Sequence, residues 1–287
     1  MDLFNLSDPE LTQYTYKPSV EDVVTDVAFY TACWLGFYFL CLYSCPILFA
    51  GIKMPLNNKE DAKELKDFTP AEKCFFASTI NSVVVALIVP LQILRVGLAN
   101  GGQWIAWEYD LRTFLVDKNV WVFKLMIGYF FADGVWVVYY NKKWGGEWKM
   151  FLTHHFAGAY FFWNLIIHEA SHGAGMGVAF VEVTNLFNNA RYFFKLFGIK
   201  KKYPKVDLVN GLIFTLLFAF TRVFGLTHTS WYYTYAQQET FHTFPLDFII
   251  CLYIVVPIGM VLQYFWFYKI GGGLYGIAFP KPKKKAA

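Results

Sequence analysis

Charge is scarce in this chain. Only 16% of its 287 residues are Asp, Glu, Lys or Arg, where a soluble domain carries about 25%. Cysteine is scarce too: Cys33, Cys41, Cys45 and Cys251 fall in apolar runs and Cys74 at the edge of one, and no Cys-x-x-Cys occurs. That leaves no framework of disulfides and marks the five as packing residues. A glycine-rich nucleotide loop is missing as well, because Gly271-Gly272-Gly273 follows an apolar run with no phosphate-binding context. The first 22 residues are acidic, with Asp2, Asp8, Glu10, Glu21 and Asp22 against Lys17. They lack the basic start and apolar core of a cleaved signal peptide, so none is expected.

What fills the space is apolar. The sequence is 56% hydrophobic and 21% aromatic, and its apolar runs recur at roughly 23–50, 75–94, 120–140, 150–167, 176–197, 209–231 and 247–268. A membrane-spanning helix needs roughly 20 such residues. The expected fold is therefore an all-α membrane protein of about seven transmembrane helices, with the run at 150–167 the shortest.

Loop charge gives an independent test. If the runs cross alternately, eighteen lysines fall on one side, in the segments after the first, third, fifth and seventh runs. The other side holds only Lys17, Arg95, Arg112 and Lys118. By the positive-inside rule the amino end is lumenal or extracellular and the carboxyl end cytosolic. Topology thus accounts for the lysines, and nucleic acid is not an expected partner. The chain closes on Lys283-Lys284-Lys285-Ala286-Ala287. Lys284 and Lys285 sit where the dilysine retrieval signal of endoplasmic reticulum membrane proteins would place them, which points to residence in that membrane; the alternative is a basic tail drawn to anionic lipid. Asn5-Leu6-Ser7 is a glycosylation sequon in the lumenal tail.

Against this apolar background, two runs carry polar groups that are costly at membrane depth and so mark a site. With a rise of 1.5 Å per residue, Asp133 lies roughly 12 Å from the cytosolic face, His154 and His155 roughly 8 to 9 Å, and Asn189 roughly 9 Å. Glu182 and Arg222 both lie roughly 21 Å in, so neighbouring antiparallel helices can pair them. On a regular helix Glu182, Asn185 and Asn189 form one stripe and Thr184, Asn188 and Arg191 another. One stripe is suited to a cavity and the other to a neighbouring helix, unless both simply hold helices together. Adjacent histidines point about 100° apart, so one of His154 and His155 can face a bound group while the other bonds Asp133 or Asn189. A neutral imidazole suits general-base work, and a carboxylate would fix its tautomer.

His168-Glu169-Ala170-Ser171-His172 competes as a site. His-Glu-x-x-His on a helix places two imidazoles on one face to bind zinc, with the glutamate as base. The run into Gly173, Gly175 and Gly177, however, is expected to break the helix and leave a lumenal loop.

The polar constellation resembles a known family. His154-His155 opening a run after one bearing Asp133, then Glu182-Val-Thr184-Asn185-Leu-Phe-Asn188-Asn189-Ala-Arg191, with Arg222 in the next run and Lys269 closing the last, is similar to the TLC domain. That family includes ceramide synthases, a translocon-associated membrane protein, an endoplasmic reticulum cargo receptor and small proteins linked to lipid homeostasis. The local sequence is most similar to the last group. The resemblance covers roughly residues 70 to 270 and implies a helical barrel around a cavity that takes an acyl chain. It divides the chain into an acidic lumenal tail (1–22), a first transmembrane helix (23–50), the TLC domain (70–270) and a basic cytosolic tail (271–287).

In ceramide synthases the histidine pair serves N-acylation of a sphingoid base together with an Asp-x-x-Asp element on the following span. Here that region reads Gly177-Val-Ala-Phe-Val-Glu182-Val-Thr184, without the pair. The first expectation is accordingly a protein that binds or handles membrane lipids through an acyl-chain cavity and contributes to lipid homeostasis. The second is an N-acyltransferase using acyl-CoA, with His154, His155 and Asp133 catalytic; the third is a membrane zinc hydrolase on His168 and His172. Acyl chains or sphingoid bases are the implied ligands, and Glu182, Asn185, Asn189, Arg191 and Arg222 the residues lining the cavity or coupling helices.

Overall fold

The computed structural model describes residues 18–48, 70–99, 117–139, 147–196, 199–232 and 244–278. Asn5, Lys284, Lys285 and most of the acidic tail lie outside them. Among the described residues the chain is helical, without strands. The helices are α1 (Val20–Leu48), α2 (Pro70–Ala99), α3 (Asp117–Tyr139), α4 (Trp148–Ile167), α5 (His172–Phe180), α6 (Thr184–Leu196) and α7 (Ile199–Lys202). They continue with α8 (Pro204–Leu217), α9 (Leu226–Trp231), α10 (Leu246–Ile250) and α11 (Val256–Ala278). A 3-10 turn, Val181–Val183, joins α5 to α6; π-helical segments, Phe218–Gly225 and Cys251–Val255, join α8 to α9 and α10 to α11.

Local chemistry sets several of these limits. Ser19 accepts the Asp22 amide N–H at 3.0 Å and so caps α1, with Glu21 and Asp22 in its first turn beside the positive helix end. Pro204 opens α8, where the missing N–H costs nothing.

Among the described residues, five helical stretches are long and apolar enough to cross a membrane: Val20–Leu40, Ala77–Arg95, Val120–Tyr139, Pro204–Trp231 and Leu246–Tyr275. The chain is a multi-pass, all-α membrane protein. The two expected runs outside this set are 150–167 and 176–197, and the reason is physical. Lys149, His154, His155 and Asn164 dilute the apolar character of α4, while the second run is divided into α5, the 3-10 turn and α6. Phe29, Leu91, Leu216, Phe220 and Val261 point outward, as lipid-facing side chains do in a bundle that bilayer surrounds.

The core gathers around α3, which packs most extensively on α4 and α1. Phe123, Met126, Ile127 and Phe130 of α3 meet Trp34 and Tyr38 of α1, Phe162 and Leu165 of α4, and Met176 of α5. Two glycines permit the closest approaches. A Cβ on Gly128 would lie 2.9 Å from the backbone nitrogen of Thr31, and one on Gly175 would lie 2.4 Å from the Leu165 side chain and 2.6 Å from Phe123. Small residues let membrane helices touch at the backbone in this way.

The glycines of α5 therefore do not break the chain into a loop, as their density suggested. They lie inside a helix, where Gly175 packs against Leu165 and Phe123. The break falls earlier, in the turn at Glu169 and Ser171, both with positive φ (51° and 57°). Cys33 also departs from expectation: it is exposed on the outer face of α1, whereas Cys251 is buried.

Candidate functional site

The polar groups converge on a cavity of about 450 Å³ bounded by α3, α4, α6, the Phe218–Gly225 segment and α11. That volume lies within the roughly 300–1,000 Å³ of small-molecule sites. Asp133, His154, His155, Glu182, Asn185, Asn188, Asn189, Arg191, Arg222 and Lys269 all line it. A second, predominantly apolar cavity of about 100 Å³ adjoins it, walled by residues such as Met126, Phe162, Val178, Leu252 and Val256. Phe130, His154 and Glu182 line both cavities.

One wall is built by α3, α4 and α1. His155 holds Asp133 Oδ2 through Nε2 at 2.9 Å and donates Nδ1–H to the Phe151 carbonyl at 2.6 Å. Tyr38, from α1, donates its hydroxyl to Asp133 Oδ1. Each carboxylate oxygen thus has a partner, and the imidazole is held at both nitrogens. His154, one residue earlier, makes neither contact. Its ring lies edge-on to Trp266 at 5.3 Å and to Phe130 at 6.1 Å, and among the described residues it has no hydrogen-bond partner. Of the two alternatives for the fixed histidine's partner, Asp133 or Asn189, the geometry takes Asp133, and the ring left without a partner among the described residues is His154.

The opposite wall is organised around Arg222. Its Nε donates to Thr184 Oγ1 at 2.8 Å, Nη1 to Gln263 Oε1 at 3.3 Å, and Nη2 to Glu182 Oε1 and Asn185 Oδ1, each at 3.2 Å. Glu182 and Arg222 are each 4% exposed at the side chain, and Asn185 donates to the other Glu182 oxygen at 2.5 Å. A buried pair is tolerable only when its other donors and acceptors are also served, and here every nitrogen of Arg222 and both oxygens of Glu182 have a partner.

Thr184 on Arg222 departs from the two-stripe reading. The 3-10 turn at Val181–Val183 winds three residues per turn, so the helical phase shifts between Glu182 and Thr184, and both reach the guanidinium. Asn188 and Arg191 also line the cavity, and Arg191 lies against Gly211 of α8 as well.

The histidines of the His-Glu-x-x-His segment diverge. His168 caps α4 and bonds Asp247 Oδ2 of α10 at 2.9 Å, while His172 bonds the Leu165 carbonyl at 3.1 Å. The turn between them separates the rings, and among the described residues no three His, Cys, Asp or Glu side chains gather to hold a metal.

Several participants escaped sequence reasoning. Tyr38 and Gln263 lie on helices remote in sequence from their partners, and Glu147, which pairs with Lys269 at the cavity mouth, sits in a loop-like stretch. Lys124, 2.6 Å from Asp26 of α1, carried a visible signal, a lysine inside an apolar run.

Fold and site together define a multi-pass helical membrane protein enclosing a polar cavity with an apolar extension. The TLC domain model matches residues 73–271, and the chain belongs to that family. It is similar to TLC domain-containing protein 4-B of Xenopus laevis, 28% identical over 174 residues, which covers 60% of this chain and 63% of that relative. No solved structure matches the chain.

Proposed function

We propose that this protein binds and handles membrane lipids, taking the polar end of an amphiphile into the larger cavity and its acyl chain into the apolar one, and so contributes to lipid homeostasis. The observation that carries this reading is His154, which lines both cavities and has no protein partner among the described residues. A half-buried polar ring that faces a cavity without a protein partner is completed only by a ligand or water. The lysine-rich loops support a polar cavity that opens toward the cytosol, and Lys284-Lys285 supports residence in the endoplasmic reticulum. Changing both lysines to Ser is expected to release the protein towards the Golgi, as microscopy would report; unchanged reticular staining removes that argument.

The experiment for lipid binding is lipidomics of the full chain purified in mild detergent. His154→Ala is expected to alter the amount or chain length of bound lipid while the protein stays folded. Lipid content identical to wild type would reduce the polar groups to helix contacts.

A second reading, N-acyl transfer from acyl-CoA to an amine, draws support from the same arrangement. The free His154 ring is placed to take the proton of an attacking amine, beside an imidazole that Asp133 and Phe151 hold in place. Formation of an acylated sphingoid base by the purified chain, lost in His154→Ala, would establish it.

A further inference from the structure

The cavity's charges are unevenly paired. Of its three carboxylates, Asp133 is taken by His155 and Tyr38, Glu182 by Arg222 and Asn185, and Glu147 by Lys269. Two of its three cations, Arg222 and Lys269, are thereby neutralised. Arg191 is not: among the described residues it makes no ion pair or hydrogen bond. Its guanidinium lies across α8 at Gly211, where Nε and Cζ sit 3.9 Å from the position a Cβ would take. Two residues earlier, Asn189 is 7% exposed, lines the same cavity, and its amide likewise has no partner. An uncompensated guanidinium and a buried free amide on one cavity wall are the chemistry of an anion seat: a planar fork of N–H donors with a neutral donor beside it.

We propose that Arg191, assisted by Asn189, binds a phosphate carried by an acyl-bearing molecule, so that the ligand of the cavity is a phosphorylated amphiphile rather than a neutral lipid. This rests on the lipid-binding reading above and narrows it. Phosphate matches the fork bidentately, and the lysine-rich stretch Lys200–Lys202 that follows α6 in the sequence adds positive charge of the sign that attracts the same anion. The phosphate can belong to a membrane phospholipid or to acyl-CoA; Arg191 would recognise either.

The test uses the full chain in phosphatidylcholine nanodiscs doped with phosphatidic acid or with diacylglycerol of the same acyl chains, bound lipid being counted by native mass spectrometry. These two probes differ only in the phosphate. Wild type should favour phosphatidic acid by about tenfold or more, the value of a charge-assisted hydrogen bond. Arg191→Gln should bring the two probes to near parity without losing diacylglycerol, and Arg191→Lys should keep part of the preference and show that the site folds. Equal binding of both probes by wild type, or an undiminished preference in Arg191→Gln, overturns the anion seat and leaves lipid binding standing. Absence of both probes from wild type overturns the two together. Palmitoyl-CoA that displaces phosphatidic acid from wild type but not from the residual complex of Arg191→Gln supports the seat with the thioester as source. Displacement by inorganic phosphate alone overturns the claim that an acyl chain is part of the ligand.

Discussion

The two walls of the polar cavity use similar residues to different ends. Around Arg222, the donors that face the site find acceptors on three other segments, and both oxygens of Glu182 are occupied. Across the cavity, Asp133 and His155 are equally satisfied, but they stand behind His154, which is not; and further along α6, past Thr184 and Asn185, Asn189 and Arg191 have no partner among the described residues either. Polar groups at membrane depth therefore fall into two kinds: those that complete each other hold helices, and those left incomplete look into the cavity. Composition does not separate them, since Asn185 and Asn189 are the same residue one helical turn apart.

The comparison breaks most visibly at the saturated wall. Glu182→Gln leaves Arg222 a buried cation without its counter-charge and is expected to destabilise the fold by about 3–5 kcal/mol, read as thermal unfolding in mild detergent. Arg222→Gln added to it should recover part of that loss; an additive loss would show that the pair is not the organising contact. Next comes the support behind the histidine. Asp133→Ala strands the donors of Tyr38 and His155, each unsatisfied buried group costing about 1–3 kcal/mol, and should both lower stability and alter bound lipid. Smaller again is Thr184→Val, which removes one of Arg222's neutral partners at a position that lines neither cavity and should cost about 1 kcal/mol without changing lipid content. At the far end, His154→Phe should leave thermal stability within about 0.5 kcal/mol of wild type and still change lipid content. If Thr184→Val moved lipid and His154→Phe moved stability, the division between completed and incomplete groups would fail.

Much of this was legible before any coordinates. Equal depth is enough to suggest Glu182 with Arg222, because a regular rise per residue converts sequence position into height. The same arithmetic sets Asp133, His154, His155 and Asn189 in one slab but leaves open whether Asp133 or Asn189 holds the fixed histidine. Height is one coordinate only, however, and azimuth was less secure. The 3-10 turn before Thr184 and the π-helical stretches at Phe218–Gly225 and Cys251–Val255 each change the angle per residue, so a wheel drawn at constant pitch misplaces whatever follows. Tyr38 and Gln263 were out of reach for another reason. Their roles depend on which helices become neighbours, and nothing local in α1 or α11 announces that. The glycines of α5 misled in the opposite sense, because packing against Leu165 and Phe123 overrides their intrinsic tendency to interrupt a helix.

The Glu182–Arg222 contact joins residues 40 positions apart in the chain. Synthesis runs from the amino end, so the carboxylate is made first and exists for an interval without the guanidinium that will neutralise it. During that interval the half-finished bundle contains an acid at membrane depth whose only completed neighbours are the earlier helices and Asn185. Until α8 and the segment after it emerge, the Glu182 carboxylate has no Arg222 to pair with, and their arrival supplies the charge that neutralises it.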